Sequence, residues 1–330
     1  MESAEEKIAR LKEKYELLGQ DWTAYLEGLL VSNPLTYWDY IHVDTLLTLQ
    51  NPKTAFPDEL IFIIYHQVTE LYFRLSIHQL EQLAHNGRNV KENGQDMGWN
   101  EKLNVDFFIE SVRRVNTYFE ALTKSFEIMI QGMEKEQFLK FRMALLPSSG
   151  FQSAQYRMIE IMCTPLHNIL DKEHRDDFSG FVTDSTIEKM FDFLYWKKGA
   201  IELETGKKTL TLKMFEEKYT DKLLAHAKYY KDKNVWEKYL SLSEEDKQNP
   251  QLIKQLKMLD ANVNINWPLV HYKTAVRYLQ KEKGEIAATG GTNWQEYLPP
   301  KFQKRIFFPD LWTAQEKEEW GKKWVEENLL

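Results

Sequence analysis

Residues 58–84, DELIFIIYHQVTELYFRLSIHQLEQLA, follow Pro57 with no further proline and no glycine to interrupt them. The run is long enough for about seven helical turns. Asp58 and Glu59 open it, where negative charge favours a helix N-terminus. Its apolar positions wrap most of the circumference, which predicts a helix covered on several sides. Residues 101–130 repeat an apolar spacing near 3.6 through Phe107, Phe108, Val112, Val115, Phe119, Leu122 and Phe126. Further helices are expected at 3–30, closed by Ser32-Asn33-Pro34, and at 135–146, 151–170, 251–283 and beyond 313. Only 14 Gly and 10 Pro occur in 330 residues, too few for a many-stranded β protein. The expected fold class is all-α, about ten helices in one domain spanning 1–330. From Asp171 to about Asn249 the composition turns polar and Lys/Glu-rich, so 171–249 reads as a polar helical insertion on the surface.

Charge and cysteine content narrow the function. A net charge of −7 argues against a phosphate-binding surface, hence against nucleic acid as a partner. Cys163 is the only cysteine, which rules out an internal disulfide and a cysteine-based metal cluster. The N-terminus has no apolar signal core, and no apolar run approaches the ~20 residues of a membrane span. A cytoplasmic location without membrane insertion is expected.

Three stretches hold polar groups in apolar surroundings. In the first, Phe62, His66 and Glu70 share one helix face. A buried imidazole needs a hydrogen-bond partner. His66 is therefore either structural, held by Glu70 or a backbone carbonyl, or a pocket-wall group facing a polar atom of an apolar ligand. In the second, FRMALLPSSGFQSAQYR (141–157), Arg142 sits in an apolar helix and calls for a carboxylate. That carboxylate is either internal or a ligand's, gripped in a bidentate fork. The turn Pro147-Ser148-Ser149-Gly150 is either a plain connector or a set of donors. In the third, WPLVHYKTAVRYL (267–279), His271 is either packed core or a ligand. Thr289-Gly290-Gly291 follows, where paired glycines let backbone approach a bound molecule.

HExxH, P-loop, GxGxxG, GxSxG and CxxCH patterns are all missing. None of the eight histidines pairs at the i, i+4 spacing of a two-histidine metal site. A metal would have to arrive already coordinated. A haem meets that demand, because the porphyrin supplies four ligands and the protein adds one imidazole.

In order, YWDYIHVDTLLTLQ, DELIFIIYHQVTELYF, FRMALLPSSGFQSAQYRMIE, WPLVHYKTAVRYL, TGGTNWQEYL and FFPDLW resemble the blocks of the tryptophan 2,3-dioxygenase family, from about residue 36 to 312. The 171–249 stretch matches only loosely. The resemblance implies an all-helical haem-binding bundle that assembles as a homotetramer, a dimer of dimers. It implies haem b as cofactor, O2 as co-substrate, and cleavage of the indole C2–C3 bond of L-tryptophan to N-formylkynurenine, the opening step of the kynurenine pathway. His271 falls at the proximal iron ligand. His66 falls at the distal histidine that accepts the indole N–H. Phe62 matches the aromatic wall, Arg142 the carboxylate clamp, and Thr289 the hydroxyl beside the ammonium. Ser149 and Gly150 match the turn over the distal haem face. Tyr37, Tyr40 and Ile41 match a segment that a neighbouring subunit contributes.

Departures also stand out. Phe138 stands where some bacterial members carry a tyrosine, and Tyr72 where tryptophan is usual. The linker from His271 to Thr289 is a few residues longer than the common pattern, and KGEIAATGG lacks the usual basic-glycine lead-in. Two other readings stay open on these residues: a haem-dependent aromatic mono-oxygenase for another indole or a phenol, and a non-enzymatic helical haem-binding or interaction protein.

Overall fold

The structure is a computed structural model that describes residues 2–32, 34–87, 103–178, 182–202, 205–279 and 300–321. The chain divides into two compact units, Met1–Asn51 and Pro52–Leu330.

The first unit holds α1 (Ala4–Leu17), α2 (Trp22–Val31), α3 (Tyr37–Ile41) and α4 (Val43–Leu46). The single helix expected over 3–30 is two. Gly19 sits at φ +66°, a left-handed conformation that stops α1 and that glycine adopts without steric cost. Asp21 then caps α2 by accepting the Thr23 N–H at 2.9 Å. None of these four helices buries a residue. Leu29, Leu30 and Val31 all stand exposed.

The second unit is built on α5 (Asp58–Ala84), about 40 Å long. Glu59 is fully buried at its start and folds back to accept the Lys53 and Thr54 N–H groups. Phe73, Ile77 and Leu80 of α5 pack with Phe108, Val112, Val115 and Phe119 of α6 (Val105–Ser125). Ile159 and Met162 of α9 (Ala154–Cys163) and Leu252, Leu256 and Leu259 of α15 (Pro250–Ala261) complete that core. A second cluster joins Tyr65, Phe126, Met129, Phe141, Val270 and Tyr278. One expectation for α5 differs from the structure. Leu60, Ile64, Val68, Leu71 and Leu75 form an exposed stripe, so the helix is not covered all round.

The 171–249 stretch also differs from the expected surface insertion. Ile187, Met190, Leu194, Trp196, Phe215, Leu223, Tyr230 and Trp236 enter the main core. Its lysines and acids pair toward the outside, as in Lys231–Asp184 at 2.6 Å and Lys198–Glu173 at 2.8 Å. Averaged composition hid a two-sided pattern. Within it, Thr211 of α12 (Leu210–Tyr230) donates to the Pro147 carbonyl at 2.9 Å, and Gln152 donates back to the Thr211 carbonyl at 3.2 Å. This stretch therefore props the Ser148–Ser153 turn.

The helix expected over 251–283 is α15, a π-helical turn at Asn262–Asn266, and α16 (Trp267–Leu279). A C-terminal strap lies against it. Buried Asp260 accepts N–H groups from Phe307, Phe308 and the Trp312 indole at 3.0–3.1 Å. Arg175 donates to the carbonyls of Leu170, Gln303 and Lys304.

Candidate active site

A cavity of about 300 Å³ lies between α5, α9, α16 and the Ser148–Ser153 turn. Spacing places Phe62, His66, Thr69, Glu70 and Phe73 on one face of α5, and all five line it. Trp267, His271, Thr274 and Tyr278 line it from α16. The two helices run antiparallel across the space. Trp267 meets Phe73 edge-on at 5.7 Å, while Tyr278 meets Phe138 at 4.7 Å.

His66 is held by backbone, one of the alternatives its surroundings allowed. Nδ1 lies 2.7 Å from the Phe62 carbonyl and donates to it. Nε2 therefore carries the lone pair. It faces Gly150, where an added Cβ would come within 3.9 Å of it. Glu70 is not its partner, because that carboxylate accepts the Gln155 amide at 2.8 Å. Burial pushes the His66 pKa down, against smaller opposing effects of the Phe62 carbonyl and the Glu70 charge. His271 opens onto the cavity and makes no hydrogen bond among the described residues. The residue is accessible through the cavity yet surrounded by protein, and the loss of bulk water around it, then the nearby His66, lowers its pKa to about 4. Both imidazoles are neutral near pH 7.

Arg142 reaches the same cavity from the 3-10 turn after α8 (Lys135–Phe141). The start of α8 is tied to the start of α5. Asp58 accepts the Glu134 N–H at 2.7 Å, and Gln137 accepts the Asp58 N–H at 3.2 Å. This brings Phe138 to 6.1 Å and Phe141 to 5.8 Å from the Phe62 ring. Arg142 is 5% exposed, and burial draws its pKa down.

A second cationic group lines the cavity and was not singled out from the sequence. Arg157 donates to Glu160 at 3.0 Å and to the Tyr195 hydroxyl at 2.6 Å. Arg305, on the strap, donates to Glu160 at 2.6 Å and also to Tyr195. The Arg157 guanidinium lies 4.8 Å from the Trp196 ring and 5.3 Å from that of Tyr156. Two buried guanidiniums thus share one carboxylate, and Arg157 Nε has no partner among the described residues. Such an excess of buried positive charge suits an anionic group entering from the cavity. The i, i+3 pair Arg157–Glu160 was visible in the sequence, but Tyr195 and Arg305 lie too far along the chain to be joined to it.

These residues fit a haem. Among the described residues no group of three His, Cys, Asp or Glu could hold a bare ion, whereas His271 offers a free neutral imidazole. Arg157 and Arg305 could hold the cofactor's carboxylates. Ser149 and Gly150 line the same cavity, Gly150 beside His66 Nε2, with Ser149 capping the turn through the Phe151 N–H. Of the other residues singled out, Tyr37, Tyr40 and Ile41 belong to the first unit and stand exposed. Thr289 lies outside the described residues.

A family profile described as tryptophan 2,3-dioxygenase matches residues 28–191. The tryptophan 2,3-dioxygenase of Ruegeria sp. (strain TM1040) is 27% identical over 292 residues, covering 86% of this chain and 92% of that protein. The one from Herpetosiphon aurantiacus is 28% identical over 301 residues, covering 86% and 98%. Tryptophan 2,3-dioxygenase 2 of Ralstonia nicotianae is 39% identical over a shorter 134 residues, 39% of this chain and 34% of that protein. The likeness reaches both histidine-bearing helices, and the chain belongs to the tryptophan 2,3-dioxygenase family.

Proposed function

We propose that this chain is a haem-dependent tryptophan 2,3-dioxygenase that opens the indole ring of L-tryptophan with O2 to give N-formylkynurenine. One observation carries the reading: two neutral imidazoles from separate helices face one cavity, with a buried guanidinium on its wall. His271 would hold the iron, and haem, when bound, supplies the activation of O2. The chain's own residues bind and orient the substrate. Phe62 and Phe138 form an apolar wall. Burying an indole of ~200 Å² at ~25 cal/mol per Å² contributes roughly 5 kcal/mol. The guanidinium of Arg142 would grip the carboxylate and select an amino acid over free indole, each charged hydrogen bond adding about 1.5–3 kcal/mol. His66 Nε2 would accept the indole N–H. With its pKa depressed, His66 is a weak base, so it positions the ring and need not take its proton. The Ser149-Gly150 turn would shield the distal side from water, and Thr289 would meet the ammonium.

The same reading makes Pro52–Leu330 the catalytic body and supplies Tyr37, Tyr40 and Ile41 to the site of a neighbouring copy in a homotetramer. Supporting it, the helices of the first unit bury nothing, and a unit this small without a core needs a surface to pack on. The exposed stripe on α5 is a further surface of that kind. No helix among the described residues is long and apolar enough to cross a membrane, in keeping with a cytoplasmic enzyme. Protein loaded with haem and given L-tryptophan, a reductant and air should produce the near-ultraviolet absorbance of N-formylkynurenine. A haem spectrum without that product would overturn the reaction; failure to take up haem would overturn the whole reading.

A further inference from the structure

The helix that carries His271 contains one residue too many for a regular α-helix. Counting about 100° per residue from Leu252, the core-facing Leu256, Leu259 and Val263 fall within an arc of about 60°. Continued as an α-helix, the chain would set His271 about 100° from Leu252, off that face. The π-turn at Asn262–Asn266 absorbs the extra residue and brings His271 back into line with the core face.

That turn has a gap in its backbone bonding. The Trp267 N–H closes onto the Asn262 carbonyl five residues back. The next such bond, onto the Val263 carbonyl, would come from residue 268, which is proline and has no N–H. A buried carbonyl left open is costly. The Tyr156 hydroxyl fills the gap, donating to the Val263 carbonyl at 3.0 Å in a buried site. Side chains brace the rest: Asn266 donates to Asn262 at 2.9 Å, Asn262 to Asn116 at 3.2 Å, and Asn264 to Asp260 at 2.8 Å. Tyr156 stands on the cavity wall, its ring 5.5 Å from Phe73.

We propose that Tyr156 is a positioning residue for His271: its hydroxyl completes the open π-turn that aims the imidazole into the cavity. This rests on the reading of His271 as the haem ligand, five residues past the turn. The mechanism predicts its own rescue. In Pro268→Ala the new N–H can donate to the Val263 carbonyl, which makes the Tyr156 hydroxyl redundant there.

The test uses the haem-loaded full chain, with haem loss to excess apomyoglobin and the ferrous iron–histidine stretching band as readouts. Tyr156→Phe should speed haem loss about 5- to 10-fold, the scale of one hydrogen bond, and shift or broaden the band. Pro268→Ala alone should retain haem like the parent. In the Tyr156→Phe/Pro268→Ala double variant the loss rate should return to within about 2-fold of Pro268→Ala. An unchanged rate and band in Tyr156→Phe, or an effect of equal size in both backgrounds, overturns the proposal. If Tyr156→Phe does not fold, a folded double variant is the rescue. If neither folds, faster haem loss from Pro268→Ala overturns the proposal, and parental retention supports it. His271→Ala separates the two levels: full haem retention there refutes the ligand assignment itself.

Discussion

His66→Ala tests the positioning role most directly. In the parent, Nδ1 is committed to the Phe62 carbonyl at 2.7 Å, so Nε2 is the acceptor presented to the cavity. Alanine removes it and leaves the indole N–H buried without a partner. An unmade hydrogen bond of that kind costs about 1–3 kcal/mol, so the Kd for L-tryptophan should rise about 5- to 150-fold. The wall made by Phe62 and Phe138 is untouched, and turnover should fall without vanishing. The assay is a tryptophan titration followed through the haem absorbance, paired with steady-state rates. A companion substrate sharpens it. 1-Methyl-L-tryptophan has no N–H to donate, so the parent should discriminate against it and His66→Ala should not. Complete loss of turnover with unchanged tryptophan affinity would refute the positioning role and make His66 a proton carrier.

Other outcomes follow from the same geometry. Glu160 is fully buried and accepts from Arg157, Arg305 and Tyr195. Glu160→Ala should cost about 3–5 kcal/mol in urea unfolding, because two guanidiniums lose the counter-charge they share; a change below about 1 kcal/mol would remove that network from the stability account. Arg142→Met should raise KM for L-tryptophan at least 10-fold while leaving binding of free indole nearly unchanged, read by parallel titrations; an equal loss for both would mean that Arg142 shapes the fold and not the carboxylate site. Apo-protein stability should fall as pH drops from about 6.5 to about 4. His271 and His226 are each held down to about 4 by the loss of bulk water around them, so in that window the unfolded chain binds more protons. Urea midpoints measured across that range check it, and a flat profile would contradict that loss of water at both rings.

The amino-acid sequence by itself determined the helical class. Its long uninterrupted apolar periods at 58–84 and 101–130 leave little freedom, because a 3.6-residue repeat can bury one face only as a helix. It also marked His66, Arg142 and His271, since polar groups in apolar runs must find partners wherever the chain goes. The tertiary structure decided which partners. Neither Phe62 nor Glu70 could be chosen for His66 from spacing, because both lie one turn away; the fold sends Glu70 to Gln155 instead. Arg157, Glu160, Tyr195 and Arg305 meet across as many as 145 positions of chain, a distance that local periodicity cannot see. The π-turn before His271 escaped the sequence for a related reason. A single surplus residue hardly disturbs an apolar pattern, yet it rotates everything after it by about 100°, and only packing against the core fixes which rotation is kept.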